Sequence, residues 1–97
     1  MTWVKLCGMT RREDVEAAVA AGVDAVGFVI AAESSRRVTP DEAAELGDGI
    51  EAARYLVSVG LSARELLEAA RTSRVDGVQP HGAGARQSAA AALAEGY

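Results

Sequence analysis

The residues best suited to chemistry gather in the first ten positions. Val4-Lys5-Leu6-Cys7-Gly8-Met9-Thr10 is a short apolar run carrying one lysine and the single cysteine of the chain, closing on a glycine and a threonine suited to cap a helix. Side chains of a strand alternate between faces, so Lys5 and Cys7 point one way while Val4 and Leu6 point the other, under helices. An ammonium and a thiol near the carboxyl end of a strand, with a helix starting directly after it, occupy the place where α/β proteins keep their chemistry. Both the ammonium and the helix amino terminus favour thiolate, which makes Cys7 a candidate base or nucleophile. Spacing alone leaves a second reading open, since a lone cysteine is commonly a small buried hydrophobe.

The elements that must position this pair follow in a regular alternation. Thr10-Arg11-Arg12-Glu13 reads as a capping box, opening a helix that turns Val15, Ala18 and Val19 to one side and stops at Gly22. Ala25 to Ile30 is a continuous apolar run, the pattern of a parallel strand buried on both faces. A loop with Glu33, Ser34, Ser35, Arg36 and Arg37 leads to a second cap at Thr39-Pro40-Asp41-Glu42, whose helix runs to about Leu46. A strand is expected at Tyr55–Val59, and a third capping box at Ser62-Ala63-Arg64-Glu65 opens a helix with Leu66, Leu67 and Ala70 inward. Gly77-Val78-Gln79-Pro80 reads as a short fourth strand, His81-Gly82-Ala83-Gly84 as a loop, and Arg86 to Glu95 as a last helix.

The order is therefore four βα units, with short loops that imply an all-parallel sheet and right-handed crossovers. Val23-Asp24-Ala25-Val26 is echoed by Val75-Asp76-Gly77-Val78. The two lie about 52 residues apart, or two units of about 26, the length of a ~250-residue eightfold barrel divided by eight. Lys5 on an inner face, with Gln79 and His81 near the end of the fourth strand, suits a barrel lumen better than a doubly wound sheet. Asp14, Asp24 and Asp76 read as helix or turn residues rather than catalytic acids.

Composition narrows the function. Ninety-seven residues fit one small domain, 1–97, or a piece of a larger one, and with four aromatic residues and much alanine the core is thin. A net charge of −4 with scattered basic residues argues against a nucleic-acid or anionic-membrane surface. One cysteine suits a reducing cytoplasm, and no apolar run approaches the ~20 residues of a membrane span. His81 beside one cysteine is too sparse for a zinc site.

Four motifs carry a resemblance. Lys5-Leu6-Cys7-Gly8-Met9-Thr10, Ala21-Gly22-Val23-Asp24-Ala25-Val26-Gly27-Phe28, Ser34-Ser35-Arg36-Arg37-Val38-Thr39-Pro40 and Gln79-Pro80-His81-Gly82 resemble, in order and spacing, the phosphoribosylanthranilate isomerase family of tryptophan biosynthesis. The resemblance covers nearly all of this chain and about the first half of that family's (β/α)8 TIM barrel, so the fold it implies is α/β, the first four βα units. It implies an Amadori rearrangement without cofactor or metal, on a small-molecule sugar phosphate. Cys7 matches the family's general base and Arg36 the arginine that holds the anthranilate moiety. Lys5, Gln79 and His81 are expected to line the site; His81 also fits a loop histidine bonded to backbone. The family's general acid is an aspartate on a later strand, beyond this sequence, as are its phosphate-binding loops. The expected partner is a second half of the barrel or another copy of the chain, and a non-catalytic half-barrel module is the rival reading. Pro80, where the family usually has leucine, and Gly60, where a bulky apolar residue is usual, are expected to weaken the last two strands.

Overall fold

Each stretch read as strand or helix takes that form, in the order β1 (Lys5–Leu6), α1 (Arg12–Ala20), β2 (Ala25–Val29), α2 (Pro40–Leu46), β3 (Ala53–Val59), α3 (Ala63–Ser73), β4 (Gly77–His81) and α4 (Ala85–Ala94). The computed structural model describes residues 2–31 and 33–97. The four strands form one parallel sheet in sequential order β1-β2-β3-β4. Sequential right-handed crossovers place every helix on the same side, and successive helices touch. Lys5 of β1 donates a hydrogen bond to Gln79 of β4, joining the two edge strands. In a flat sheet at ~4.8 Å per strand and ~3.3 Å per residue, three strand spacings and the four-residue register offset would set these backbones ~19 Å apart, beyond the reach of that pair, so the sheet is curled like part of a barrel wall.

The core lies between the convex face of the sheet and the helices. Val26 and Phe28 of β2 and Leu56 of β3 are fully buried against Val15 and Ala18 of α1, Ala43 of α2 and Ala70 of α3, with Val38 and Val75 closing the ends. Small alanines let the helices approach the sheet closely, which is why so few large side chains suffice. Ala25 to Phe28 is buried throughout, as a central parallel strand requires.

Two of the three capping boxes form. Thr39 Oγ1 accepts from Glu42 N–H at 3.1 Å while Glu42 accepts from Thr39 N–H at 2.9 Å, and Ser62 with Glu65 repeats the arrangement at 3.2 and 2.9 Å. The first box does not form. Helix α1 starts one residue later than expected, with Arg11 as an N-cap that makes no side-chain bond, and Glu13 pairs with the Arg11 guanidinium instead. The shift removes the three-residue spacing a box needs.

The apolar face of β1 also departs from expectation. Val4 and Leu6 are each 42% exposed, because β1 is an edge strand and α1 leaves its outer face uncovered. Gly60 and Pro80 do not weaken their strands: β3 and β4 pair in unbroken register from Tyr55↔Gly77 to Val59↔His81. Gly60 N–H donates to the His81 carbonyl at 2.9 Å, which sets the odd-numbered backbone groups of β4 toward β3. The nitrogen of Pro80 therefore faces the open edge, where no bond of this sheet is lost.

Asp24 and Asp76 act as clamps at the amino end of the sheet. Asp24 Oδ2 accepts from Val4 N–H at 2.7 Å, and Asp76 Oδ2 accepts from Arg54 N–H at 2.8 Å. Each aspartate also returns its own N–H to the carbonyl of the residue it grips, at 2.8 Å in both places. The Val-Asp echo in the sequence is thus one repeated device tying β2 to β1 and β4 to β3.

Candidate active site

The concave face carries the side chains that alternation turned away from the core. Register aligns Gly27, Tyr55 and Gly77 in one row across the sheet, with Cys7, just past the end of β1, lying against Gly27; Lys5, Ala25 and Ala53 form the row below and Val29, Val57 and Gln79 the row above. The Tyr55 ring takes the space of the neighbouring glycine, since a β-carbon on Gly77 would meet that ring. Small residues beside large ones fill the tapering interior of a barrel in layers. Trp3 extends this floor, its ring edge-on to Tyr55 at 6.1 Å between centroids.

Lys5 crosses the floor. Its chain rises past Gly27, and Nζ stands 5.4 Å from the centroid of the Tyr55 ring before donating to Gln79 Oε1. The ring's negative face and the amide oxygen both suit an ammonium, so Lys5 is a lumen cation rather than one reaching out from the end of the sheet. Cys7 shares that face: a point one β-carbon above Gly27 lies 2.9 Å from Cys7 Sγ and 3.1 Å from Lys5 Cε. The Cys7 thiol is free and exposed.

Arg36 reaches the same end of the sheet from the loop after β2. Gly8, at φ +82°, leaves a space in which a β-carbon would lie 2.8 Å from the guanidinium carbon of Arg36. The loop is braced by Arg36 N–H donating to Ser34 Oγ at 3.1 Å and by Val38 N–H donating to Val29 O at 2.8 Å. Arg37 lies in a short bridge beside Val29. Gly8 and Met9 both donate to the Gly27 carbonyl, at 3.0 and 3.2 Å, so the turn carrying Cys7 into Thr10 is fastened to β2. His81 ends β4 on the opposite edge strand, exposed, opposite Val59.

The structure thus brings Lys5, Cys7 and Gln79 onto one floor, sets Arg36 beside the residue that follows Cys7, and leaves His81 at the far rim. Tyr55 and Trp3 were missed as floor residues, as were Gly77, the gap that admits the Tyr55 ring, and Gly27, the gap over which Cys7 and Lys5 lie. A glycine within β2 and another opening β4 were the available signal, because a strand glycine marks close approach by a neighbour.

Comparison with known proteins fits this geometry. The family model described as N-(5'phosphoribosyl)anthranilate (PRA) isomerase matches residues 4–96. The N-(5'-phosphoribosyl)anthranilate isomerase of Streptococcus pneumoniae (strain ATCC 700669 / Spain 23F-1) is 50% identical over 84 residues, 84% of this chain and 42% of that protein. The crystal structure of phosphoribosyl anthranilate isomerase from Thermus thermophilus superposes with a TM-score of 0.89 at 34% identity, over 99% of this chain and 48% of that one. A phosphoribosyl anthranilate isomerase in complex with reduced 1-(o-carboxyphenylamino)-1-deoxyribulose 5-phosphate gives 0.91 at 30% identity, over 98% and 50%. The chain spans about half the length of these relatives, and its parallel α/β half-barrel is the fold they share.

Proposed function

Because the chain belongs to the N-(5'-phosphoribosyl)anthranilate isomerase family, we propose that it forms the amino-terminal half of a barrel that isomerises N-(5-phosphoribosyl)anthranilate to the 1-deoxyribulose 5-phosphate in tryptophan biosynthesis. In this reading Cys7 is the general base and Arg36 holds the substrate's carboxylate. Lys5, Gln79 and His81 line the sugar-phosphate site. The supporting observation is the meeting of Arg36 and Cys7 at one strand end, with the guanidinium against Gly8. A planar guanidinium pairs with a benzoate carboxylate through two parallel bonds, which fixes the ring and so the direction of the attached sugar. The Cys7 sulfur, one residue away, is then the group that takes the proton on the sugar's second carbon.

The reaction adds and removes no atoms. An acid protonates the furanose oxygen, the ring opens to a Schiff base, and the positive nitrogen makes the proton on the second carbon acidic. Cys7 takes that proton, and the enolamine then tautomerises to the ketone. The acid comes from the second half of the barrel, across the lumen from Cys7, where the two groups hold separate proton affinities. The carboxyl-terminal four βα units are the partner this reading requires. They cover the open edges of β1 and β4 and supply the phosphate-binding loops. A single cysteine used as a thiol suits the reducing cytoplasm, where we place the protein.

The rival reading, a non-catalytic module closing a barrel with another copy, draws on the uncovered Val4 and Leu6 at the β1 edge and Leu93 on α4. Loop substitutions separate the two. In the completed barrel, Arg36→Met is expected to raise KM for substrate at least tenfold while Arg37→Met changes it less than threefold. Equal effects from both, or a larger one from Arg37, would mean that the carboxylate site is assigned to the wrong arginine.

A further inference from the structure

The reading above leaves Gly27 without a role, although a glycine inside a central buried strand gives up both side-chain packing and backbone entropy. Turn geometry does not require it: Gly27 lies within β2 and is not among the glycines with positive φ. Only the space above it is unusual. A β-carbon there would stand 2.9 Å from Cys7 Sγ, 3.1 Å from Lys5 Cε and 3.3 Å from Cys7 Cα, and the first of these is closer than real β-carbons come to their neighbours. The Gly27 carbonyl meanwhile receives both Gly8 N–H and Met9 N–H, so this residue also sets the turn directly after Cys7.

We propose that Gly27 is a positioning residue for the isomerase site, its absent side chain forming the seat in which the Cys7 thiol rests and the gap through which Lys5 crosses to Tyr55 and Gln79. This rests on the reading of Cys7 as the base. Gly27 touches no reacting atom in this account. It acts by letting two side chains of β1 lie flat across β2, which puts thiol and ammonium on one floor. An alanine there displaces both toward the lumen, moving the base off the substrate's second carbon while leaving the carboxylate site at Arg36 in place. A shift of about 1 Å in a reacting group is enough to cost about a hundredfold in rate.

The test uses Gly27→Ala in two measurements. In the 97-residue chain, the Tyr55 ring, whose centroid lies 5.4 Å from Lys5 Nζ, is expected to shift the Lys5 ε-methylene protons upfield in NMR spectra, and Gly27→Ala is expected to return them to the position of a free lysine. In the chain completed with the carboxyl-terminal half of a relative, the same variant is expected to lower kcat at least tenfold with KM within threefold of the parent. An unmoved Lys5 resonance in a folded variant, or kcat within twofold of the parent, would overturn the proposal. Should Gly27→Ala fail to fold, the triple variant Gly27→Ala/Lys5→Ala/Cys7→Ala removes both side chains the new methyl meets. Recovery of the fold in that variant supports the seat, and continued failure overturns it. If the completed parent shows no isomerisation at all, the functional reading fails, while the NMR measurement still decides the role of Gly27.

Discussion

Cys7 sits where three independent features converge: a strand end, a following helix and a lysine on the same face. The alternation of Lys5 and Cys7 was legible because it depends only on the period of a strand. Tyr55 was not, because its place above the floor follows from register with Gly27 and Gly77, and register is a property of three strands at once. Arg36 lies between these cases. Its type was informative, but its approach to Gly8 depends on how the loop after β2 folds back. Cys7→Ser in the completed enzyme is expected to lower kcat by ~10²–10⁴, the usual contribution of a positioned base, with the circular dichroism spectrum unchanged. A serine variant turning over at the parent rate would remove Cys7 from the mechanism.

At the level of elements, the strands and helices were readable from apolar runs and caps, and the misreadings came from competition between local interactions. Thr10 and Glu13 had the types of a capping box, yet Arg11 captured the carboxylate and the helix began one residue late. Asp24 and Asp76 were read as turn residues, but their shared role needed the pairing of strands to become visible. Asp76→Ala removes the bond to Arg54 N–H and the nearby Arg54 guanidinium contact at 3.5 Å. It is expected to destabilise the chain by about 1–2 kcal/mol, measured by urea denaturation, since one charge-assisted bond is lost at a partly exposed site. The α3 box makes a pH prediction. Hydrogen bonds with the Ser62 backbone and hydroxyl hold the Glu65 carboxyl below its ordinary value. A carboxyl depressed on folding stabilises at neutral pH, and that contribution disappears as pH falls through its folded-state value. Glu65→Gln should therefore flatten the acid limb of the stability profile; an identical limb in both proteins would show that the box does not report on the fold. Ser58 makes the opposite case. Its hydroxyl is buried and finds no hydrogen-bond partner among the described residues, so Ser58→Ala is expected to leave stability equal or raise it by about 1 kcal/mol.

The whole molecule is a curled sheet covered on one side only. Its concave face holds Lys5, Cys7, Tyr55 and Gln79, and its edges are β1 and β4. Apolar side chains remain uncovered, Trp3 at 58% and Val4 and Leu6 at 42% by β1, and Leu93 on α4 at 73% exposed. Unpaired parallel edges beside such residues invite association. Pro80 partly blunts one of them by offering no N–H to a passing strand. Sedimentation of the 97-residue chain alone is expected to show self-association, and a single monomeric species at micromolar concentration would mean that these edges are protected in another way. The barrel resemblance was legible from the βα period and the four motifs, whereas the exposure of Val4 and Leu6 was not, since it depends on what lies beside β1. The central claim is that this half carries the base and the carboxylate site while the acid comes from the other half. The most direct test is an isomerase assay on this chain alone and on the chain joined to the carboxyl-terminal half of the Thermus thermophilus relative, each with Cys7 and with Cys7→Ser. The account predicts no turnover from the chain alone, turnover from the joined protein, and its loss by ~10²–10⁴ in the serine variant. Turnover by the 97-residue chain alone, or a joined protein indifferent to Cys7→Ser, would contradict it.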